Sequence, residues 1–293
     1  MNRAAFRARL QAAARREAAP IFSPLTLDPL TARIAAEAGF ESGYVSGGGL
    51  GYQLAVSEAL LTVEELAGCA RAIHRRSDLA VLIDGGVGFG DPVHAARMMW
   101  EFEASGAVGV ELEDQVAPKR VSHHRGVEHL VPTEEMVAKI RVAVAQRRDP
   151  DFVLIARTGA CRNESYAAAL ERAAAYVEAG ADAIMLFPTE EEQWVDAPQR
   201  LAELGTPAVA MAMLDVRPPR QWGELGYALV IDPMSGQTAA VQAVPDLYRR
   251  QLATPDEAGA DVRDRNRTYR QLSGWAGLEE LYDIERRTTE PGT

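Results

Sequence analysis

Short apolar runs rich in β-branched residues recur eight times along the chain, each ending in polar residues or glycine and each followed by an amphipathic stretch. This alternation predicts strands joined by helices, and eight repeats predict a (β/α)8 barrel with its chemistry at the carboxyl ends of the strands. The expected strands are 21–25, 43–46, 79–84, 109–113, 152–157, 183–187, 208–213 and 228–231. Helix starts are marked by Asp28-Pro29 and Asp91-Pro92, by Thr62 with Glu65 three residues on, and by Thr133 as N-cap before Glu134 and Glu135. The connections 50–61 and 114–132 are long for βα loops and are expected to act as lids. Beyond the eighth unit, a helix over 236–252, a polar break over 253–260 and a helical region around Trp275 and 278–282 are expected to pack on a neighbouring subunit.

Composition narrows this picture. With 293 residues, 47% of them hydrophobic, the chain is long enough for one barrel domain, divided into an N-terminal helix (1–19), the barrel (20–252) and a C-terminal helical extension (253–293). The first segment has basic residues but no apolar core of signal-peptide length, so it is expected to lie on the surface as a helix. A formal net charge of -11 disfavours nucleic acid and anionic membranes as partners. The two cysteines, Cys69 and Cys161, have no paired spacing and are expected to be reduced thiols in a cytoplasmic protein.

The candidate chemistry sits after the strands. Ser46, Gly47, Gly48 and Gly49 read equally as a backbone cradle for a carboxylate or phosphate and as a flexible turn. Asp84 and Glu113 end apolar strands, where a carboxylate needs a cation or a partner. They suit Mg²⁺, with Mn²⁺ as a substitute, and they also suit ion pairs with Lys119, Arg120 or Arg157. Glu111 shares the face of Glu113 two residues away. Arg157 offers a planar fork for a substrate carboxylate, or a structural ion pair. His123 and His124, in the second long loop, read as a proton shuttle or as solvated surface.

The segments YVSGGG (44–49), DGGVGFG (84–90), ELEDQVAPKR (111–120) and DPDFVLIARTGA (149–160) together resemble the isocitrate lyase and phosphoenolpyruvate mutase superfamily. The likeness runs in order from about 20 to 240 and is nearest the methylisocitrate lyase and carboxyphosphonoenolpyruvate mutase branch. It implies a barrel that forms a homo-oligomer, a dimer or a tetramer with exchanged C-terminal helices, and Mg²⁺ holding a small α-oxo or α-hydroxy carboxylate. By position it implies that Tyr44, Ser46, Gly47 and Gly48 bind substrate, that Asp84 and Glu113 serve the metal, and that Arg157 binds the oxo-acid and steadies an enolate. Lys119, Arg120, Ser122 and His123 fall in the gating loop.

Departures from the family pattern redirect the expected chemistry. The usual K-R-C-G-H of the gating loop is Lys119-Arg120-Val121-Ser122-His123 here, so the cysteine acid or base is gone. The D-x-D-T-G motif has become Asp84-Gly85-Gly86-Val87-Gly88, and Glu58 is the carboxylate left where L-P-D is usual. Two functions follow as expectations. One is a divergent Mg-dependent lyase or decarboxylase, distinct from a standard isocitrate or methylisocitrate lyase, with His123 or His124 as proton donor and Glu58 as a further catalytic group. The other is a repurposed barrel with weak or absent metal chemistry that acts on a different ligand or serves as a binding protein.

Overall fold

The computed structural model describes residues 1–253 and 262–289. Eight parallel strands, β1 (Ile21–Ser23), β2 (Ser42–Val45), β3 (Ala80–Asp84), β4 (Gly109–Glu113), β5 (Val153–Thr158), β6 (Ala183–Leu186), β7 (Ala208–Met211) and β8 (Tyr227–Ile231), form one sheet. β1 pairs with β8, and a bridge between Leu25 and Tyr44 joins the ends of β1 and β2, closing the barrel. The strand interiors are Val-, Ile-, Leu- and Ala-rich because both faces are covered. Ile83, Val110, Leu112, Leu154 and Ala156 pack outward against the helices. The alternate residues Tyr44, Leu82, Val153 and Ile155 pack inside the barrel. This period of two sends Asp84, Glu111, Glu113 and Arg157 inward at the carboxyl ends of their strands.

The eight expected strands are present, with ends that differ by one or two residues. Residues 24–25 and 212–213 fall outside β1 and β7, although Leu25 still bridges to Tyr44 and the Ala212 amide still donates to the Ile231 carbonyl. Asp28 caps the helix Pro29–Glu37, and Thr62 with Glu65 forms a reciprocal capping box at Val63–His74. Thr133 is not an N-cap: the helix Thr133–Gln146 already includes it, and Pro132 precedes it without a side-chain cap.

The expected N-terminal helix is present and keeps one face toward the outside, while its other face belongs to the core. Helix α1 (Arg3–Ala14) buries Phe6, Leu10 and Ala13, and these three join the cluster inside the barrel. Their i, i+4, i+7 spacing makes one apolar stripe, and that stripe stops the amino-terminal end of the barrel. Arg3 fixes the helix by donating to the Ala107 carbonyl at 2.8 Å, and Arg7 pairs with Asp182 at 2.9 Å.

Two compact units occur, Met1–Gly236 and Gln237–Thr293. The second holds most of the helix Ser235–Ala253 and the helices Val262–Ala276 and Leu278–Thr288, divided at Gly277 with φ +73°. The expected polar break lies, past Ala253, outside the described residues. Among the described residues no helix is long and apolar enough to cross a membrane.

Candidate active site

Strand register assembles the centre of the site. Asp84 stands beside Glu111 in the β3–β4 pair, and Glu113 beside Arg157 in the β4–β5 pair. Arg157 donates from Nη1 to Glu111 Oε1 at 2.7 Å, and its Nη2 lies 3.0 Å from Glu113 Oε2. Its guanidinium also lies over the Phe187 ring, 4.7 Å from the centroid. The ion-pair reading of Arg157 is therefore realised in its contacts, with Glu111 and Glu113 as the partners.

The two glutamates differ in charge environment. Burial pushes the Glu111 carboxyl up to about 7, with Arg157 opposing and Asp84 adding to the rise. Glu113 is equally buried, yet it is held below the usual carboxylate range because Arg157 and Lys119 both face it. Burial raises Asp84 despite the nearby Lys119. Asp84 accepts from the Gly47 amide at 2.9 Å and from the Gly86 amide at 2.8 Å. Gly86 has φ +48°, a conformation that favours glycine and lets the chain fold back onto the carboxylate.

Ser46 to Gly49 do not form a loose turn. They open a short helix, Gly47–Gln53, with Ser46 as N-cap accepting from Gly49 N at 3.1 Å. Three glycines are poor helix formers, and burial against Leu25 overrides that preference. The Gly47 amide is aimed at Asp84. A Cβ on Gly47 would stand 2.9 Å from Asp84 Oδ2, and one on Gly48 would stand 3.1 Å from Glu58 Oε2. These glycines keep the space between the carboxylates open.

The two long loops meet over this centre. In the first, a 3-10 turn (Glu58–Leu60) brings in Glu58. In the second, Lys119 places Nζ 2.6 Å from Glu58 Oε1 and 2.7 Å from Glu113 Oε1. His123 Nε2 lies 2.5 Å from the same Glu58 oxygen, and Nδ1 lies 2.7 Å from the Arg120 carbonyl. Acceptors at both ring nitrogens favour the imidazolium, and the Glu58 contact raises the His123 pKa. Glu58 is held well below the usual carboxylate range: His123 and Lys119 outweigh its burial. A cavity of about 150 Å³ remains beside these groups, lined among others by Gly47, Glu58, Asp84, Gly86 and Lys119.

The other expected site residues make contacts of their own around this cluster. His124 is exposed and bonded to Ser57 Oγ at 2.9 Å. Arg120 is exposed with its side chain on the Pro118 carbonyl, and Ser122 is hydrogen-bonded within the loop to the Val127 carbonyl. Tyr44 is buried inside the barrel, where its hydroxyl donates to Glu111 Oε2 at 2.8 Å. Burial first, and the Asp84 and Glu111 charges next, hold its phenol protonated.

Sequence reasoning missed the support beneath the second loop. Asp114 accepts from Thr158 Oγ1 at 2.6 Å, Tyr176 Oη at 2.8 Å and the Gly159 amide at 3.1 Å. The Gln115–Leu130 bridge clamps the two stems of the loop above it. Gln115 Nε2 also donates to Glu113 at 2.8 Å. An acid directly after a strand-ending acid was the available signal, but its partners lie 44 to 62 residues away.

Among the described residues no group of three or more His, Cys, Asp or Glu is arranged to hold a metal ion. Glu58 and Asp84 line the cavity and Glu113 stands behind Lys119; all three supply only oxygen donors, a chemistry that suits a hard divalent cation. The ammonium bridging Glu58 and Glu113 marks a cation position between them.

A parallel barrel with paired carboxylates, an arginine and a loop-borne lysine at its carboxyl end is the architecture of a β/α-barrel enzyme, whose chemistry sits on that face. A family model described as phosphoenolpyruvate phosphomutase matches residues 10–252, and the chain belongs to that family, within the isocitrate lyase and phosphoenolpyruvate mutase superfamily. A probable 2-methylisocitrate lyase 1 of Corynebacterium glutamicum is 50% identical over 162 residues, 55% of this chain and 53% of that protein, so the match spans about half that relative's length. The 2,3-dimethylmalate lyase of Eubacterium barkeri is 33% identical over 280 residues, covering 90% of this chain and 92% of the relative. A solved structure of phosphonopyruvate hydrolase with oxalate and Mg²⁺ is similar, with a TM-score of 0.78, 27% identity, and coverage of 99% of this chain and all of that one.

Proposed function

We propose that this protein is a metal-dependent enzyme that cleaves or decarboxylates a small α-oxo or α-hydroxy carboxylate through an enolate. The observation that supports it is the convergence of Asp84, Glu111, Glu113 and Arg157 inside the barrel mouth, with Glu58, Lys119 and His123 closing over them. Relatives that carry the names of methylisocitrate lyase, dimethylmalate lyase and phosphonopyruvate hydrolase act on acids of this kind.

In this reading Asp84 and Glu113, with Glu58 nearby, hold Mg²⁺ or Mn²⁺, which supplies Lewis-acid polarisation of the oxo-acid oxygens when bound. Arg157 orients the substrate carboxylate and offers fixed positive charge where negative charge develops, the part of the site most valuable to an enolate. Tyr44 holds Glu111 in place, and Glu111 and Glu113 together fix the Arg157 guanidinium inside the mouth. Helix Gly47–Gln53 lets substrate approach because Gly47 and Gly48 carry no side chain. His123, kept charged by Glu58, delivers the proton that the family cysteine gives elsewhere; Val121 in the cysteine's place supports a route other than standard methylisocitrate cleavage. His124 is the poorer candidate because burial and the adjacent His123 lower its pKa, so less of it carries the proton to be donated.

The same reading includes a homo-oligomer formed through the C-terminal helices, whose exposed Leu247, Tyr248, Leu281 and Ile284 suit a subunit contact.

Calorimetric titration of Mn²⁺ and Mg²⁺, with and without oxalate, into the wild type and Asp84→Ala tests the site. Metal-dependent oxalate binding lost in the variant is the expected result, followed by turnover of 2-methylisocitrate, 2,3-dimethylmalate, oxaloacetate or phosphonopyruvate. Absence of both metal and oxalate binding would replace this reading with the metal-free binding barrel.

A further inference from the structure

An anionic substrate needs a cation that the chain has not already neutralised. At the barrel mouth Arg157 is held by Glu111 and Glu113, Lys119 by Glu58 and Glu113, and His123 by Glu58. Each of these positive charges is compensated within the protein, and Asp84 adds a further carboxylate beside them.

Arg162 differs. It lies on the short helix Ala160–Asn163 that follows β5, and so on the carboxyl-end face of the barrel. Its guanidinium carbon stands 4.9 Å from the centroid of the Phe187 ring, the same ring that Arg157 overlies at 4.7 Å. Phe187 belongs to the apolar cluster inside the barrel and is buried, whereas Arg162 is exposed. Arg162 therefore reaches from the rim onto a ring of the interior. Among the described residues its guanidinium has no hydrogen-bond or ion-pair partner.

This freedom does not come from a loose segment. Asn163, next in the chain, donates to Glu128 Oε2 and to the Gly159 carbonyl, each at 2.8 Å. Glu164, the nearest acid in sequence, accepts from Arg172 Nε at 3.0 Å and from Arg172 Nη2 at 2.6 Å. Both acids beside this segment are engaged elsewhere, and the backbone that carries Arg162 is fixed. Its planar fork suits a carboxylate or a phosphonate.

We propose that Arg162 is a specificity residue: it receives a second acidic group of the substrate, a carboxylate or phosphonate distal to the oxo-acid head at Arg157. The proposal rests on the function proposed above. It makes the preferred substrate a polyanion rather than a monocarboxylate, and it places that choice on a side chain outside the carboxylate cluster.

The test is calorimetry at saturating Mg²⁺ on the wild type and Arg162→Met, with oxalate, malate and phosphonopyruvate; KM replaces affinity for any anion that is turned over. Oxalate represents the head alone, and the other two add a distal carboxylate or a distal phosphonate. Arg162→Met keeps an unbranched side chain beside Phe187 and removes the charge. It is expected to leave oxalate affinity unchanged and to weaken the better bound of malate and phosphonopyruvate by about tenfold or more. That loss is expected to shrink at high salt, as an interaction with an exposed cation does. The anion that loses more identifies the distal group. An equal loss for oxalate, no loss for any anion, or a loss indifferent to salt overturns the assignment. A wild type that binds oxalate and neither longer anion also overturns it and leaves the proposed function standing. If the wild type binds none of the three, with or without Mg²⁺, the proposed function falls and the assignment falls with it.

Discussion

Replacing Arg157 with methionine removes the one cation that both Glu111 and Glu113 share, while keeping an unbranched side chain over Phe187. Breaking a buried ion pair by removing one partner costs about 3–5 kcal/mol. The lower end applies near pH 6, because Glu113 retains Lys119 and because Glu111, already raised to about 7, is mostly neutral there. The sign at higher pH follows from Glu111. Its folded pKa lies above the unfolded value, so ionising it as pH rises destabilises the fold, and loss of Arg157 raises that pKa further. Each added pKa unit contributes about 1.4 kcal/mol. The expected loss is therefore about 3 kcal/mol at pH 6 and roughly 1–2 kcal/mol more at pH 8. A loss of that size lowers the melting temperature by roughly 6–12 °C at pH 6. Urea denaturation of both proteins at the two pH values measures it. A loss below about 1 kcal/mol, or one that shrinks between pH 6 and pH 8, refutes the view that Arg157 neutralises this pair.

Phe6→Ala opens a cavity at the far end of the barrel and is expected to cost about 3–5 kcal/mol in urea denaturation while leaving oxalate affinity unchanged. Gly47→Ala places a methyl group 2.9 Å from Asp84 Oδ2 and is expected to weaken metal-dependent oxalate binding at least tenfold by calorimetry; Gly48→Ala, with more room, does less. The His123–Glu58 contact should hold the loop down below the raised His123 pKa and release it above. Tryptic cleavage after Arg120 is then expected to accelerate between pH 6 and pH 9 in the wild type and to stay flat in His123→Gln.

The barrel was legible because short, mostly apolar runs alternate eightfold with amphipathic stretches, and Asp84, Glu113 and Arg157 could be placed at strand ends by that pattern alone. Their partners were not legible. The expected ion-pair partners of Arg157 were Asp84 or Glu113; that it meets Glu113 and also Glu111 is decided by register between strands, with Glu111 46 residues away, which no local pattern encodes. The glycine triplet misled for a related reason: helix propensity argues against Gly47–Gln53, and contact with Leu25 and the Ser46 cap decides it. Helix α1 carried a readable stripe, but nothing local identifies the barrel interior as the surface it covers. The pairing of Glu58 with Lys119 and His123 joins two loops and depends on how both fold over the mouth.

The stopper formed by α1 bears on traffic as well as on stability. Phe6 and Leu10 close the amino-terminal end, and the cavity at the carboxyl end lies beside Lys119 on the second long loop. Under the proposed function, substrate and product would share that opening and take turns through it. A second product left behind keeps the room occupied, so the products should leave in a fixed order and the last to leave should compete directly with fresh substrate.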